Sequence, residues 1–539
     1  MPSSLRIALA QINPLVGDFN GNIRRMKEAA DKARANGAHI VVFPELSVSG
    51  YPPEDLLLRP GFINKAQAAI EALATSVKDM VWVVGHPQRD NSGVHNAASV
   101  LANGRIVATY FKQVLPNYSV FDEKRYFKAG TEACVVEVND RKLGLTICED
   151  IWDPAPITLA KQAGAEIILN MNASPFHTNK WTERETVVRE RVREQGLPVV
   201  YVNQVGGQDE LVFDGASFAI DAGGETRHRG SAFEAEVTTI DWLVDGSITS
   251  NDGVAAYPAN EASIYQALVT GVHDYVEKNG FKGVVIGLSG GIDSALTLVI
   301  AVDALGADRI EAVMMPSRYT SDMSMADAEA QARSLGVNYR VIEIEPMFNS
   351  FLDALKDEFA GLKTDTTEEN IQARVRGVLL MAISNKLGKM VLTTGNKSEM
   401  AVGYATLYGD MAGGYAAIKD VPKTLVYKLA NWRNQLASVI PQRVIDRPPS
   451  AELAPDQKDS DSLPDYDVLD PVLEAYVEND QCAEDIIALG FEEQMVRRVI
   501  RLVDLNEYKR RQAPPGVRIT RKAFGRDRRY PITSGYGKP

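Results

Sequence analysis

Cysteine is scarce in this chain. Three among 539 residues (Cys134, Cys148 and Cys482) are too few and too scattered for a disulfide scaffold or a zinc site. The six histidines lack ligand spacing as well. No long apolar run is present, and the N-terminus "MPSSLRIALAQINPLVGD" meets a polar turn too early for a signal peptide or a membrane span. An excess of basic charge is also missing. The net charge is −13, which argues against nucleic acid as a partner. A reducing cytoplasm is the expected home, with neither nucleic acid nor membrane as partner. With 45% hydrophobic and 24% charged residues the composition is that of a soluble globular protein. The length calls for two or three domains.

The first half alternates strand-like and helix-like segments. "LRIALAQIN" reads as a strand, and "GNIRRMKEAADKARANG" as a helix with Ile23, Met26, Ala30 and Ala33 on one face. "HIVVFPE", "VWVVGHP", "LGLTICE", "EIILNMN" and "PVVYVNQ" are near-continuous apolar runs of the buried-strand kind. "ASVLANGRIVATYF" and "DGASFAIDAGGETRHRG" read as hairpins, so a mixed sheet is expected. Around residues 241–262 the pattern breaks into a polar, Gly- and Ser-rich stretch, which places a linker at 246–262 between domains 1–245 and 263–539. In the second half "VVIG", "IEAVMMP", "YRVIEIE" and "MVLTTGN" are strands separated by helical stretches, the pattern of a doubly wound parallel sheet. Residues 441–467, rich in Pro and Asp, read as a mobile loop able to seal the nearby site.

One further absence is informative. "VVIGLSGGIDSALTLVIAV" (284–302) has the outline of a phosphate cradle, yet no lysine stands in or just after its glycines. A Walker loop uses that lysine on the β- and γ-phosphates. Here Gly287, Leu288, Ser289, Gly290, Gly291, Ile292, Asp293 and Ser294 supply backbone N–H groups and a helix start instead. Asp293 would repel phosphates unless magnesium lies between them. Taken alone, such a loop is an ordinary glycine turn with a capped helix.

"SGGIDS" after a strand resembles the signature of the N-type ATP pyrophosphatases, a group that includes NAD, GMP and asparagine synthetases. These cut ATP between the α- and β-phosphates and grip the departing pyrophosphate. "TEENIQARVRGVLLMAISNKLG", "VLTTGNKSEMAVGYATLYGDMAGGYAAIKDVPKT" and "NEYKRRQAPPG" resemble the NAD synthetases in particular. That resemblance implies Thr394 at ATP, Asn370, Glu399 and Lys509 at deamido-NAD, and Asp293 and Glu399 as magnesium ligands. It also implies a Rossmann-like fold of the adenine nucleotide alpha hydrolase type. "YKRRQAPPGVRITRKAFGRDRR" is basic within an acidic chain, as suits an anionic dinucleotide or equally a solvated charged tail.

In the first half, Glu45, Lys112 and Cys148 each follow an apolar strand, where α/β sheets place reactive groups. Singly, each has a bland reading as a buried cysteine or a solvated charge. Together with their flanks they resemble the nitrilase (carbon–nitrogen hydrolase) superfamily, over roughly residues 5–240. The resemblance implies an α-β-β-α sandwich and a glutaminase triad. Cys148 would be the nucleophile, Glu45 the base, and Lys112 the charge that stabilises the oxyanion. It further implies Tyr118, Ser174 and Lys180 as glutamine contacts, and Glu123 is a candidate second carboxylate. Lys180 stands where some relatives carry arginine, so it supplies charge without the bidentate fork.

The two resemblances in this order point to the family of glutamine-dependent NAD synthetases. That family implies glutamine, ATP with magnesium, and deamido-NAD as its small molecules, a closed passage for ammonia, and a homo-oligomer. Two other readings stay open. One is a different pyrophosphatase-type amidotransferase, for which "GNKSEM…YGD" would be coincidence. The other is a nitrilase-type amidase with a nucleotide-sensing second half, against which an intact "SGGIDS", Thr394 and Glu399 weigh.

Overall fold

A computed structural model describes residues 4–455, 457, 459 and 463–536. The chain forms two compact units, Met1–Asn260 and Glu261–Pro539. Among the described residues no helix is long and apolar enough to cross a membrane.

The first unit holds β1 (Leu5–Gln11), β2 (Ile40–Val42), β3 (Val81–Arg89), β4 (Val94–Ala102) and β5 (Arg105–Phe111). It continues with β6 (Val135–Val138), β7 (Arg141–Ile147), β8 (Ile167–Asn172), β9 (Val199–Asn203), β10 (Val205–Gln208) and β11 (Leu211–Asp214). Its last strands are β12 (Phe218–Ile220), β13 (Thr226–Arg229), β14 (Glu236–Trp242) and β15 (Ile248–Thr249). A seven-stranded sheet runs β15-β14-β1-β2-β3-β4-β5 and a six-stranded sheet β13-β12-β9-β8-β7-β6. Both are mixed: β1, β2 and β3 are parallel, as are β7, β8 and β9, while the hairpins pair antiparallel. In the β4–β5 hairpin Asn103 (φ 52°) and Gly104 (φ 78°) turn the chain, the pair of positive angles a tight hairpin needs.

The two sheets share a core in which Ile7, Leu9, Val42 and Val83 face Leu145, Ile147, Leu169 and Val202. Helices Phe19–Ala35 and Pro60–Ser76 cover one outer face through Met26, Ala30, Ala33, Ile70 and Leu73. Helices Pro154–Gln162 and Lys180–Gln195 cover the other through Ile157, Val188 and Val192. This is an α-β-β-α sandwich, with strands apolar on both faces because both faces are covered. The stretch 246–262 is tied to this unit at its start: Ile248 pairs with Trp242, Ala255 N–H donates to Arg229 O, and the Tyr257 hydroxyl donates to Asp214.

The second unit holds β16 (Val284–Gly287), β17 (Ile310–Met314), β18 (Asn338–Val341), β19 (Met390–Thr393) and β20 (Tyr415–Ala416). They form one parallel sheet in the order β18-β17-β16-β19-β20. Val285, Val313 and Val391 pack on Phe348, Ile371 and Val375 from helices Glu345–Leu355 and Thr366–Leu387. Helix Ile292–Leu305, buried along nearly its whole length, follows β16 directly. The strand order reverses between β16 and β19, so the ends of these two strands open the crevice where doubly wound sheets take ligands.

Candidate functional site

In the first unit, three turns bring the expected triad together. Glu45 and Lys112 are fully buried and Cys148 is 4% exposed. Glu45 Oε1 accepts from Lys112 Nζ and from Asn96 Nδ2, each at 2.7 Å, and Oε2 accepts from the Ala173 N–H at 3.0 Å. The Glu45 turn nests against β3 because residue 85 is glycine: a Cβ there would lie 2.4 Å from Leu46 N. Cys148 opens the turn after β7 with φ +45°, a left-handed angle that a side chain adopts only where its surroundings enforce it.

Lys112 also donates to Glu123 at 2.9 Å, and the Tyr51 hydroxyl donates to the same carboxylate at 3.1 Å. Burial alone would push the Lys112 ammonium down, but Glu123 and Glu45 outweigh it and hold it well above its ordinary value. Burial lifts Glu123 to about 7 against the pull of Lys112. Burial also raises the Cys148 thiol, Glu45 adds to the rise, and Lys112 opposes it. The resting cysteine is therefore a thiol, not a standing thiolate.

The three expected glutamine contacts surround this cluster. The Tyr118 hydroxyl donates to Glu149 Oε1 at 2.8 Å, next to Cys148 in the chain. Ser174 directly follows Ala173, whose N–H holds Glu45. The Ser174 hydroxyl oxygen accepts from Arg184 Nε at 3.0 Å. Arg184 is itself anchored on Asp214 Oδ1 at 2.7 Å, and Tyr257 holds the other oxygen of Asp214 at 2.7 Å. Lys180 lies 4.1 Å over the Trp152 ring and 3.2 Å from Glu183. Burial lowers its ammonium pKa, with Arg184 adding to the effect and Glu183 opposing it.

In the second unit a cavity of about 510 Å³ opens at the ends of β16 and β19. All of residues 287–294 except Gly290 line it, together with Thr394, Asn370, Glu399 and Lys509. Gly290 serves the loop differently. Its φ is +78°, a Cβ would lie 2.3 Å from Ser324 O, and its carbonyl accepts from the Arg447 guanidinium. The Ser289 and Ser294 hydroxyls bond each other at 3.0 Å across the loop. Asn370 accepts from the Thr406 hydroxyl at 2.8 Å, and Lys509 Nζ donates to the carbonyls of Gly403 (2.7 Å) and Ala405 (2.8 Å).

A lysine does stand at this loop, delivered from far along the chain. Lys423, 1% exposed, pairs with Asp293 and lies 3.2 Å from Glu399 Oε1. Burial would lower its pKa, but Asp293 and Glu399 raise it well above the ordinary value. Burial lifts Glu399 to about 8, with Lys423 opposing the rise and Asp293 adding to it. Asn396 caps the helix that carries Glu399 and donates to Asp293 Oδ1 at 2.9 Å. Two carboxylates thus converge on one ammonium nitrogen.

Sequence reasoning missed Lys423, Arg184, Glu149 and Asn396. Lys423 sits in "KDVPKT", but nothing local distinguishes it. The basic C-terminal segment is spent mostly inside the fold: Arg518 pairs with Asp527 at 2.6 Å, Arg528 with Glu507 at 2.9 Å, and Arg510 donates to Ala401 O at 2.6 Å. Part of the expected mobile loop, residues 456, 458 and 460–462, lies outside the described residues. Its described neighbours dock on the cavity, where Glu452 accepts from the Ser321 and Ser324 hydroxyls at 2.9 and 2.7 Å.

Comparison with known proteins divides the chain in the same order. The family model for carbon-nitrogen hydrolases matches residues 6–245, and that for NAD synthase matches residues 264–513. Over 536 residues the chain is 50% identical to the glutamine-dependent NAD(+) synthetase of Acinetobacter baylyi, covering 99% of each protein. It is 45% identical over 573 residues to that of Thermotoga maritima, again covering 99% of each. Among solved structures, the glutamine-dependent NAD+ synthetase of Acinetobacter baumannii in complex with ADP superimposes with a TM-score of 0.81. That match has 47% identity and covers 99% of both chains.

Proposed function

The chain belongs to the glutamine-dependent NAD(+) synthetases, and from that membership we propose how its own residues divide the reaction. It is an ATP-dependent C–N ligase that hydrolyses glutamine and uses the ammonia to amidate deamido-NAD. The observation that carries the reading is one chain holding both a buried Glu45–Lys112–Cys148 cluster and a lysine-bridged phosphate loop.

In the first unit, Cys148 Sγ attacks the side-chain amide carbon of glutamine while Glu45 takes the thiol proton. A thiol with a raised pKa requires the two events to be joined, since little thiolate exists beforehand. Lys112 faces the developing oxyanion, and its charge is kept by Glu123 and Glu45. Glu45 returns the proton to the departing ammonia, and water then releases glutamate from the thioester. Tyr118 contacts glutamine, and Ser174 and Lys180 hold its amino-acid end.

In the second unit, the nicotinate carboxylate of deamido-NAD attacks the α-phosphate of ATP. Pyrophosphate leaves into the N–H groups of the 287–294 loop, and ammonia displaces AMP from the adenylate. Lys423 answers the question of the missing lysine: it offsets Asp293 beside the phosphates. Asp293 and Glu399 also suit magnesium, which takes one or two carboxylates and completes its shell with phosphate and water. Both already meet the Lys423 ammonium, and a further cation beside them would draw Glu399 toward its charged form. When bound, magnesium would neutralise phosphate charge. Thr394 faces ATP, and Asn370 and Lys509 face the dinucleotide.

Ammonia is largely protonated at neutral pH, so a shielded transfer is part of the proposal; a homo-oligomer is added from family membership and a cytoplasmic setting from the scarcity of cysteine. The test supplies deamido-NAD and ATP-magnesium with either glutamine or ammonium. NAD and AMP should form in equal amounts from both nitrogen sources. Cys148→Ala should lose glutamine use and keep ammonium use, and loss of both would overturn the division of labour.

A further inference from the structure

Asp150 has no part in the chemistry above, yet it is fully buried and bonded on both oxygens. Oδ1 accepts from the N–H groups of Gln113 (3.0 Å) and Val114 (2.8 Å). Oδ2 accepts from the Ile147 N–H at 2.9 Å and the Tyr110 hydroxyl at 2.8 Å. Gln113 immediately follows Lys112, and Ile147 immediately precedes Cys148. We infer that Asp150 is a positioning residue for glutamine hydrolysis, a clamp that fixes the Lys112 turn against the Cys148 turn.

The two turns belong to different sheets. Lys112 follows β5, the edge of the seven-stranded sheet, and Cys148 follows β7 of the six-stranded one. No strand pairing therefore sets the distance between them, and side-chain packing between sheets is a looser constraint than a ladder of hydrogen bonds. Asp150 supplies such bonds at the end of the sandwich where it matters. It also takes part in holding Cys148 at its positive φ, an angle that costs about 1–3 kcal/mol unless the surroundings over-determine it. A carboxylate suits the task because it accepts at every lone pair and brings no donor of its own. Burial raises its pKa to about 6, while the Ile147 and Val114 N–H groups and the charge of Lys112 pull it down, so it stays ionised at neutral pH. An asparagine of the same shape has one accepting oxygen and would turn an NH2 group toward two donors.

The inference rests on the triad reading, so the experiment separates the two. Asp150→Asn and Tyr110→Phe are compared with the wild type and with Cys148→Ala. The readouts are ammonium-driven NAD synthesis, glutamine-driven kcat and KM, and the pH profile of iodoacetamide alkylation followed on the Cys148 peptide. Asp150→Asn should keep ammonium-driven synthesis and lose about 10²-fold in glutamine-driven kcat, the cost of a reacting group displaced by about 1 Å. Its KM for glutamine should stay near the wild-type value. The Cys148 alkylation midpoint should move to higher pH as Lys112 ceases to favour the thiolate, a shift that a merely stabilising carboxylate would not produce. Tyr110→Phe removes one of the four bonds and should lower kcat about threefold to tenfold in the same direction. Wild-type kcat and an unmoved alkylation profile in Asp150→Asn overturn the inference. If that variant does not fold, the same result in Tyr110→Phe overturns it. Glutamine-driven synthesis surviving in Cys148→Ala overturns the triad reading itself.

Discussion

Replacing Lys423 by methionine keeps most of the length of the side chain and removes the ammonium that lies between Asp293 and Glu399. Lys423 is 1% exposed, so its loss leaves two carboxylates facing each other with little solvent to screen them. Breaking a buried pair in this way costs about 3–5 kcal/mol. In a unit of this size that corresponds to a fall in Tm of roughly 6–20 °C. Glu399, whose pKa burial already raises, loses the influence that opposes the rise and is driven further toward its neutral form. A neutral Glu399 is a poor magnesium ligand, and a phosphate loop without Lys423 is a weaker clamp. Ammonium-driven synthesis should fall by about 10²-fold or more, the usual cost of losing one preorganised charge partner. Thermal unfolding with and without magnesium, and AMP release with ammonium as nitrogen source, measure both effects. Added magnesium should restore little of the lost Tm, because Asp293 alone stays charged to hold it. A Lys423→Met protein with wild-type Tm and ammonium-driven rate would show that the ion pairs do not organise the loop.

Three other outcomes are expected. Tyr257→Phe removes one hydrogen bond from the Asp214–Arg184–Ser174 chain and should raise the glutamine KM about twofold to tenfold with little change in kcat; a lower Tm with an unchanged KM would reduce Tyr257 to a structural tie. Gly290→Ala forces a Cβ to 2.3 Å from Ser324 O at φ +78° and should destabilise the second unit by about 1–3 kcal/mol, whereas at Gly291 the new Cβ meets only Ser289 Oγ at 3.3 Å. Equal unfolding midpoints for the two variants would contradict the built loop. His86 is lowered by burial to about 4, so it stays neutral while the unfolded chain titrates near 6.5. Its contribution to stability is full above pH 6.5 and is lost as the pH falls toward 4, by about 3 kcal/mol in total. His86→Gln should flatten that part of the stability profile, and an unaltered slope would assign the acid sensitivity elsewhere.

Sequence alone determined the two-part architecture and the reactive types. Apolar runs without alternation imply strands covered on both faces, and Asn103-Gly104 implies a tight hairpin, because both follow from backbone chemistry within a few residues. Glu45, Lys112 and Cys148 were legible as strand-end residues, and the 287–294 loop as a phosphate cradle, for the same local reason. The partners of these groups were not legible, because each comes from a distant segment. Only the folded sheets bring Lys112 between Glu45 and Glu123, and only the order of β16 and β19 lets Lys423 reach Asp293 across 130 residues of chain. The basic C-terminal segment shows the converse. Composition there suited a ligand surface or a solvated tail equally, and the tertiary structure spent most of that charge on Asp527, Glu507 and backbone carbonyls. Protonation was decided the same way: a sequence fixes ordinary pKa values, whereas burial beside particular charges makes Cys148 a thiol and keeps Lys112 charged.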